Sequence, residues 1–168
     1  MSIEVRKVSS AEDYENCLRI RRKVFIEGMN VPEEHEIDAY EKEATHFLAL
    51  YHGTPAATGR IRLKKGFVKF ERIATLSEFR GKGLASALME AMQQEALDQY
   101  PTYLPAMHAQ VSALSFYLKL GWVTVGAVFE EAGIDHQVMI LPPQDVSKLR
   151  CLTDPATPQP ILDYLKSQ

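Results

Sequence analysis

A chain of 168 residues with 46% hydrophobic and 24% charged side chains has the size and composition of one globular domain, so it can bury a sizeable core and disorder is excluded as the default. Its net charge of −3 argues against a general nucleic-acid binder, because such domains are strongly basic. Cys17 and Cys151 lie far apart and form neither a CxxC nor a metal spacing, which reads as packing thiols in a reduced compartment.

Ile3, Val5 and Val8 predict a short first strand. The stretch Met1 to Arg6 has no apolar signal core, and no segment approaches the roughly 18 apolar residues of a membrane span. A cytoplasmic location without a membrane partner is expected. Ser10 before Glu12 and Asp13 reads as a helix cap with an acidic first turn. That helix is expected to run to about Glu27, with Tyr14, Leu18, Arg21, Val24 and Phe25 near one face and Gly28 as its stop. Residues 30–43 are polar and carry Pro32, which predicts a loop or short helix beside a substrate opening. Glu33, Glu34, Glu36 and Asp38 there would form an acidic lip for a cationic amine, or simply a solvated loop. His35-Glu36-Ile37-Asp38-Ala39 lacks the second histidine of a His-Glu-x-x-His zinc site, so no metal is expected.

Strands are predicted at His46 to Tyr51, Ala57 to Leu63 and Phe67 to Leu76, with Gly53-Thr54-Pro55 and Lys64-Lys65-Gly66 as turns, making them antiparallel neighbours. Leu84, Leu88, Ala91 and Met92 form the stripe of a helix running to Tyr100, which Pro101 ends. Leu104 to Gln110 reads as a strand, Ala113 to Leu120 as a helix, and Trp122 to Phe129 and His136 to Leu141 as a final strand pair. The crossover helix makes the Phe67 and Leu104 strands parallel. The pattern is a single-domain α/β (α+β) fold with a mixed, mostly antiparallel sheet flanked by helices, spanning residues 1–141. Residues 142–168, with five prolines, read as an appended extension carrying one or two short helices, the last near Ile161 to Lys166. Removal of residues 150–168 is expected to leave a folded protein.

Arg80-Gly81-Lys82-Gly83-Leu84-Ala85-Ser86 joins a strand to a helix. Two glycines two apart let the backbone turn sharply and leave the first helical amides uncovered, where the helix dipole, Arg80 and Lys82 all favour a phosphate. A nucleoside triphosphate loop needs four residues between its first glycine and Gly-Lys-Ser/Thr, which no stretch supplies. Gly81, Gly83 and Ser86 approach the dinucleotide pattern Gly-x-Gly-x-x-Gly. That motif is followed by an acidic residue roughly 20 residues on, whereas Tyr100-Pro101-Thr102-Tyr103-Leu104 holds no carboxylate.

Ile73 through Ala85 resembles the acyl-CoA pyrophosphate motif of the GCN5-related N-acetyltransferases (GNAT). Ala109-Gln110-Val111-Ser112-Ala113-Leu114-Ser115-Phe116-Tyr117-Leu118-Lys119-Leu120-Gly121-Trp122 resembles that family's second signature, with Gln110 in place of asparagine and Trp122 in place of phenylalanine. Arg21 to Glu27, Asn30-Val31-Pro32, Glu36-Ile37-Asp38 and Thr45-His46-Phe47 resemble the bacterial ElaA-like or YjcF-like branch, which carries Glu-Gln where this chain has Gly28-Met29. The resemblance implies an acetyltransferase: an amine of a small molecule or protein attacks the thioester of acetyl-CoA, without a metal. A homodimer is the common expectation for such soluble proteins. A catalytically silent acyl-CoA-binding module on the same fold is the alternative.

The resemblance also implies site residues. Gly81, Lys82, Gly83, Leu84, Ala85 and Ser86, with Arg80, would cradle the pyrophosphate. Backbone groups of Ile73, Ala74 and Thr75 would hold the pantetheine arm as a strand edge holds a strand, with an N–H near Thr75 as oxyanion donor. Tyr117 would protonate the departing thiolate, unless it is a core aromatic beside Phe116. The general base is open. Glu71 shares strand alternation with Ile73 and Thr75, or is an ion-pair partner of Arg72 or Arg60. His136 matches a histidine of the resembling branch and brings an imidazole, a suitable type of base, or is a satisfied strand-edge histidine.

Overall fold

In the computed structural model, residues 2–31 and 38–168 are described, and the acidic lip expected at Glu33, Glu34 and Glu36 lies outside them. Apolar and β-branched runs form β1 (Ile3–Lys7), β2 (Thr45–Tyr51), β3 (Thr54–Lys64), β4 (Phe67–Thr75), β5 (Leu104–Gln110), β6 (Val123–Glu131) and β7 (Ile134–Ile140). The helices are α1 (Ala11–Arg21), α2 (Leu84–Gln99), α3 (Leu114–Lys119) and α4 (Gln159–Lys166). Among the described residues the strands make one sheet in the order β1-β2-β3-β4-β5-β7-β6. β1 and β2, β2 and β3, β5 and β7, and β6 and β7 pair antiparallel. β4 and β5 are parallel, from Phe67 beside Leu104 to Lys69 beside Ala106, as the crossover through α2 requires. The single-domain, mixed and mostly antiparallel fold expected from the pattern is present.

Met1–Arg62 with Glu71–Leu97 pack as one unit, and Leu63–Phe70 with Asp98–Gln168 as another. In the first unit, Ser10 Oγ accepts the Asp13 N–H at 3.1 Å and caps α1. The expected single helix to Glu27 instead widens to π-type turns over Arg22–Glu27 before Gly28. Cys17, Ile20 and Phe25 pack there with Leu48, Leu50, Ala74 and Leu76. The β2–β3 turn is His52–Gly53, both at positive φ, so Thr54 and Pro55 belong to β3 rather than to the turn. Pro55 is tolerated because the register slips beside it, from Ala49 opposite Ala57 to Leu50 opposite Pro55.

In the second unit, the stretch expected to be an appended tail packs against the strands. Leu149, Cys151, Ile161 and Leu165 share a core cluster with Leu104, Ala106, Val125 and Ile140. Cys151 sits so close over Gly66 that a Cβ on that glycine would stand 2.5 Å from the Cys151 backbone nitrogen. Arg150 Nε donates to Thr102 Oγ1 at 3.0 Å, and the Thr157 hydroxyl donates to the Cys151 carbonyl at 2.7 Å. Prolines suggested an appendage, but Pro158 and Pro160 stand at the start of α4, where no helical amide is lost. Phe70 and Trp122 meet edge to face at 5.1 Å elsewhere in this unit. No helix among the described residues is long and apolar enough to cross a membrane.

Candidate active site

The loop before α2 has the backbone that its glycines imply. Gly81 and Gly83 adopt φ of +77° and +86°, a region L side chains rarely enter. Nothing lies within 4 Å of a Cβ built on Gly81, and Ile3 Cδ1 is 3.8 Å from one on Gly83, so conformation rather than crowding requires glycine. The first turn of α2 contains no acidic residue. Ala87 N–H donates to the Gly83 carbonyl at 3.1 Å, so the amides of Leu84, Ala85 and Ser86 precede that helical bond. Arg80, Lys82 and Ser86 are exposed, Ala85 is half-buried and Leu84 is buried as an anchor. Lys82 Nζ lies 5.4 Å from the Tyr51 ring centre. Two glycines at positive φ before a helix N-terminus, two cations and no acidic residue in the helix's first turn suit a pyrophosphate.

Alternation along β4 places Glu71, Ile73 and Thr75 on one face only if the strand is regular, and it is not. Arg72 has φ of 57°, in the left-handed region, which interrupts the pleat. Glu71 reaches Arg60 and Arg62, whereas a Cβ on Gly59 would lie 3.4 Å from Ile73 Cγ1. Gly59 and Arg60 are consecutive in β3 and point to opposite faces, so Glu71 and Ile73 do too. Ala74 is buried, while Ile73 and Thr75 are half-buried.

Glu71 is an ion-pair member. Its Oε1 accepts from Arg60 Nη2 at 2.9 Å and Arg62 Nε at 2.7 Å, and its Oε2 accepts from Arg62 Nη2 at 3.1 Å. Burial pushes its pKa up, but the Arg62 hydrogen bonds and the charges of Arg60 and Arg62 outweigh that and hold it below the usual carboxylate range. Arg72 Nη2 donates to Asp38 Oδ2 at 3.1 Å. Arg60 also donates to Asp38 at 2.8 Å and to Glu41, and Arg21 grips Glu41 at 2.7 and 2.8 Å. Arg21 and Arg60 are each 1% exposed, a burial that guanidinium groups tolerate only with such partners. Arg60 is one of the two ion-pair partners expected for Glu71; Asp38 and Glu41 lie about 20 residues away from Arg60 and leave no local sequence signal, so their part in the network was not expected.

Tyr117 is 8% exposed on α3 and stands 5.1 Å from the Phe116 ring. Burial pushes its phenol up to about 12, so it is a proton donor at neutral pH. Among the described residues no hydrogen bond of its hydroxyl is seen. His136 is buried on β7, with Nδ1 2.7 Å from the Ile134 carbonyl and its ring stacked on Phe129. Nε2 of His136 lies 4.0 Å from Glu131 Oε1. His108 and Glu131 join it and were not singled out from the sequence, because only the β5–β7–β6 register brings them together. Their alternation within each strand was the one available signal. Among the described residues, no three His, Cys, Asp or Glu side chains are grouped to hold a metal ion.

A family model described as an acetyltransferase (GNAT) domain matches residues 8–142. The uncharacterized N-acetyltransferase YjcF of Bacillus subtilis (strain 168) is 35% identical over 130 residues, covering 77% of this chain and 92% of that protein. The uncharacterized protein YyaT of the same organism is 33% identical over 144 residues, covering 82% and 94%. Among solved structures, Escherichia coli ElaA matches with a TM-score of 0.75 at 23% identity, over 83% of this chain and 99% of its own.

Proposed function

Because the chain belongs to the GNAT family of acetyltransferases, we propose that it moves the acetyl group of acetyl-CoA to a primary amine by direct attack of the amine on the thioester. The observation that carries this reading is the Arg80–Ser86 loop. Two left-handed glycines open onto the N-terminus of a 16-residue helix with no acidic residue in its first turn. In this reading the amides of Gly81 to Ser86 receive the pyrophosphate, with Arg80 and Lys82 supplying charge. Backbone groups of Ile73, Ala74 and Thr75 receive the pantetheine amides, for which the β4–β5 pairing over three residues leaves strand edge to spare.

The amine must have lost its ammonium proton before it attacks, and the attack moves negative charge first to the carbonyl oxygen and then to sulfur. A backbone N–H near Thr75 is the candidate donor to that oxygen. Tyr117 is the candidate acid for the thiolate, which its neutral phenol supports. Glu71 is already committed to two arginines, so the reading favours His136 as the proton acceptor. A small-molecule or protein amine can serve as acceptor in this chemistry, and a homodimer is consistent with it. Calorimetric titration with CoA, acetyl-CoA and NAD tests the reading. CoA and acetyl-CoA are expected to bind and NAD is not. Saturable binding of NAD alone would replace it with a dinucleotide enzyme.

A further inference from the structure

Lys69, His108, His136 and Glu131 come from β4, β5, β7 and β6, neighbouring strands, and meet within the second unit. The Ile134 carbonyl oxygen, 2.7 Å from His136 Nδ1, can only accept, so Nδ1 carries the hydrogen and Nε2 holds the lone pair. That Nε2 faces Glu131 Oε1 at 4.0 Å. The other carboxylate oxygen accepts from His108 Nδ1 at 3.0 Å. On the far side of His108, Nε2 faces the Lys69 ammonium at 3.5 Å, and an ammonium only donates. Lys69 therefore fixes which His108 nitrogen points its hydrogen at Glu131. Phe129 is a wall shared by both imidazoles, stacked on His136 at 25° and edge-on to His108 at 5.1 Å. One carboxylate is thus hydrogen-bonded to His108 and lies close to His136.

We propose that His136 Nε2 takes the proton of the incoming ammonium, with Glu131 as its positioning residue and His108 holding Glu131 in place. This rests on the acetyl-transfer reading. In the step, an N–H bond of the ammonium breaks, its electron pair stays on the amine nitrogen as the nucleophile, and the proton bonds to Nε2. The imidazolium then faces Oε1, whose charge offsets it. The His108 hydrogen bond holds the Glu131 carboxyl below the usual carboxylate range against the opposing effect of burial, with the charges of His108, His136 and Lys69 adding to it. Glu131 is therefore an anion at neutral pH and available for this role.

The test compares wild type with Glu131→Gln and Glu131→Asp. In the first arm, protein carrying 13C at histidine Cε1 is titrated by NMR without donor or acceptor. In wild type the His108 and His136 resonances are expected to respond to each other's titration, as interacting groups do. In Glu131→Gln they become independent, and Glu131→Asp restores part of the coupling. In the second arm, free-thiol release from acetyl-CoA is followed against pH with spermidine, lysine methyl ester and a tripeptide amine as probes. Glu131→Gln is expected to lower kcat by about ten- to a hundredfold and to move the acid limb of the profile to lower pH, while KM for acetyl-CoA stays unchanged. Histidine titrations that Glu131→Gln leaves unchanged would overturn the shared centre. An unmoved pH–rate profile with the coupling lost would overturn its catalytic role. If no probe releases thiol with wild type while the coupling is present, the acetyl-transfer reading has failed and the proton-accepting role falls with it.

Discussion

Deleting residues 150–168 should unfold the second unit, the reverse of what the proline content of the tail suggests. The deletion removes Cys151, Ile161 and Leu165, which are 0%, 4% and 2% exposed. Burial of one Ile or Leu side chain contributes about 1.5–3 kcal/mol, so Ile161 and Leu165 alone account for roughly 3–6 kcal/mol. Their loss would also uncover Leu104, Ala106, Val125 and Ile140. A domain's whole stability is about 5–15 kcal/mol, so the deletion removes a large share of it. A graded variant gives a cleaner number. Leu165→Ala at a fully buried position should cost about 2–5 kcal/mol, and for a chain of this length each kcal/mol lowers the melting temperature by roughly 2–4 °C. Thermal melts followed by circular dichroism would compare wild type, Leu165→Ala and the exposed control Lys166→Ala. A deleted chain that melts cooperatively at the wild-type temperature would refute the packing argument.

Gly83→Asp should greatly weaken CoA binding in a calorimetric titration, because an L side chain is strained at φ of +86° and the new carboxylate opposes the phosphate; equal affinity would contradict the cradle. Tyr117→Phe should keep acetyl-CoA affinity and the melting temperature while lowering kcat by about ten- to a thousandfold; an unchanged kcat would make Tyr117 a packing residue. Acid should destabilise the fold in two stages. Burial depresses His46 below its ordinary 6.5, so the unfolded chain binds that proton first and stability falls as pH drops below 6.5. Burial raises Asp38, but its bonds to Arg60 outweigh this and hold it at about 2 against an ordinary 3.8, so its contribution is complete above roughly pH 4 and lost on approach to 2. A melting temperature that is flat between pH 7 and about 3 would contradict both signs.

What could be read in advance was whatever repeats or punctuates locally. β5 was legible because Leu104 to Gln110 is bounded by Pro101 and by the Ala-x-x-Phe-Tyr helix, and its parallel pairing follows from the crossover. The Gly81 and Gly83 turn was legible because positive φ favours one residue type. Arg72 at φ of 57° has no such marker, so the break that separates Glu71 from Ile73 was invisible. The Arg21, Arg60, Glu41 and Asp38 network joins a helix, a strand and the segment before β2, and the His108–Glu131 pair depends on strand register, so neither shows in the local sequence. In the tail, the short helix expected near Ile161 to Lys166 is present as Gln159–Lys166, but the surrounding prolines obscured the spacing of Ile161, Tyr164 and Leu165 that marks a buried face.

The central claim is acetyl transfer to an amine, and the most direct measurement joins free-thiol release to mass spectrometry of the acceptor. Purified protein, acetyl-CoA and a panel of polyamines, amino sugars, amino acids and peptide amines would be incubated together. The account predicts that at least one amine accelerates thiol release and gains the mass of one acetyl group in equal amount. Tight binding of acetyl-CoA with no acetylated amine anywhere in the panel would contradict it and favour a silent acyl-CoA-binding module.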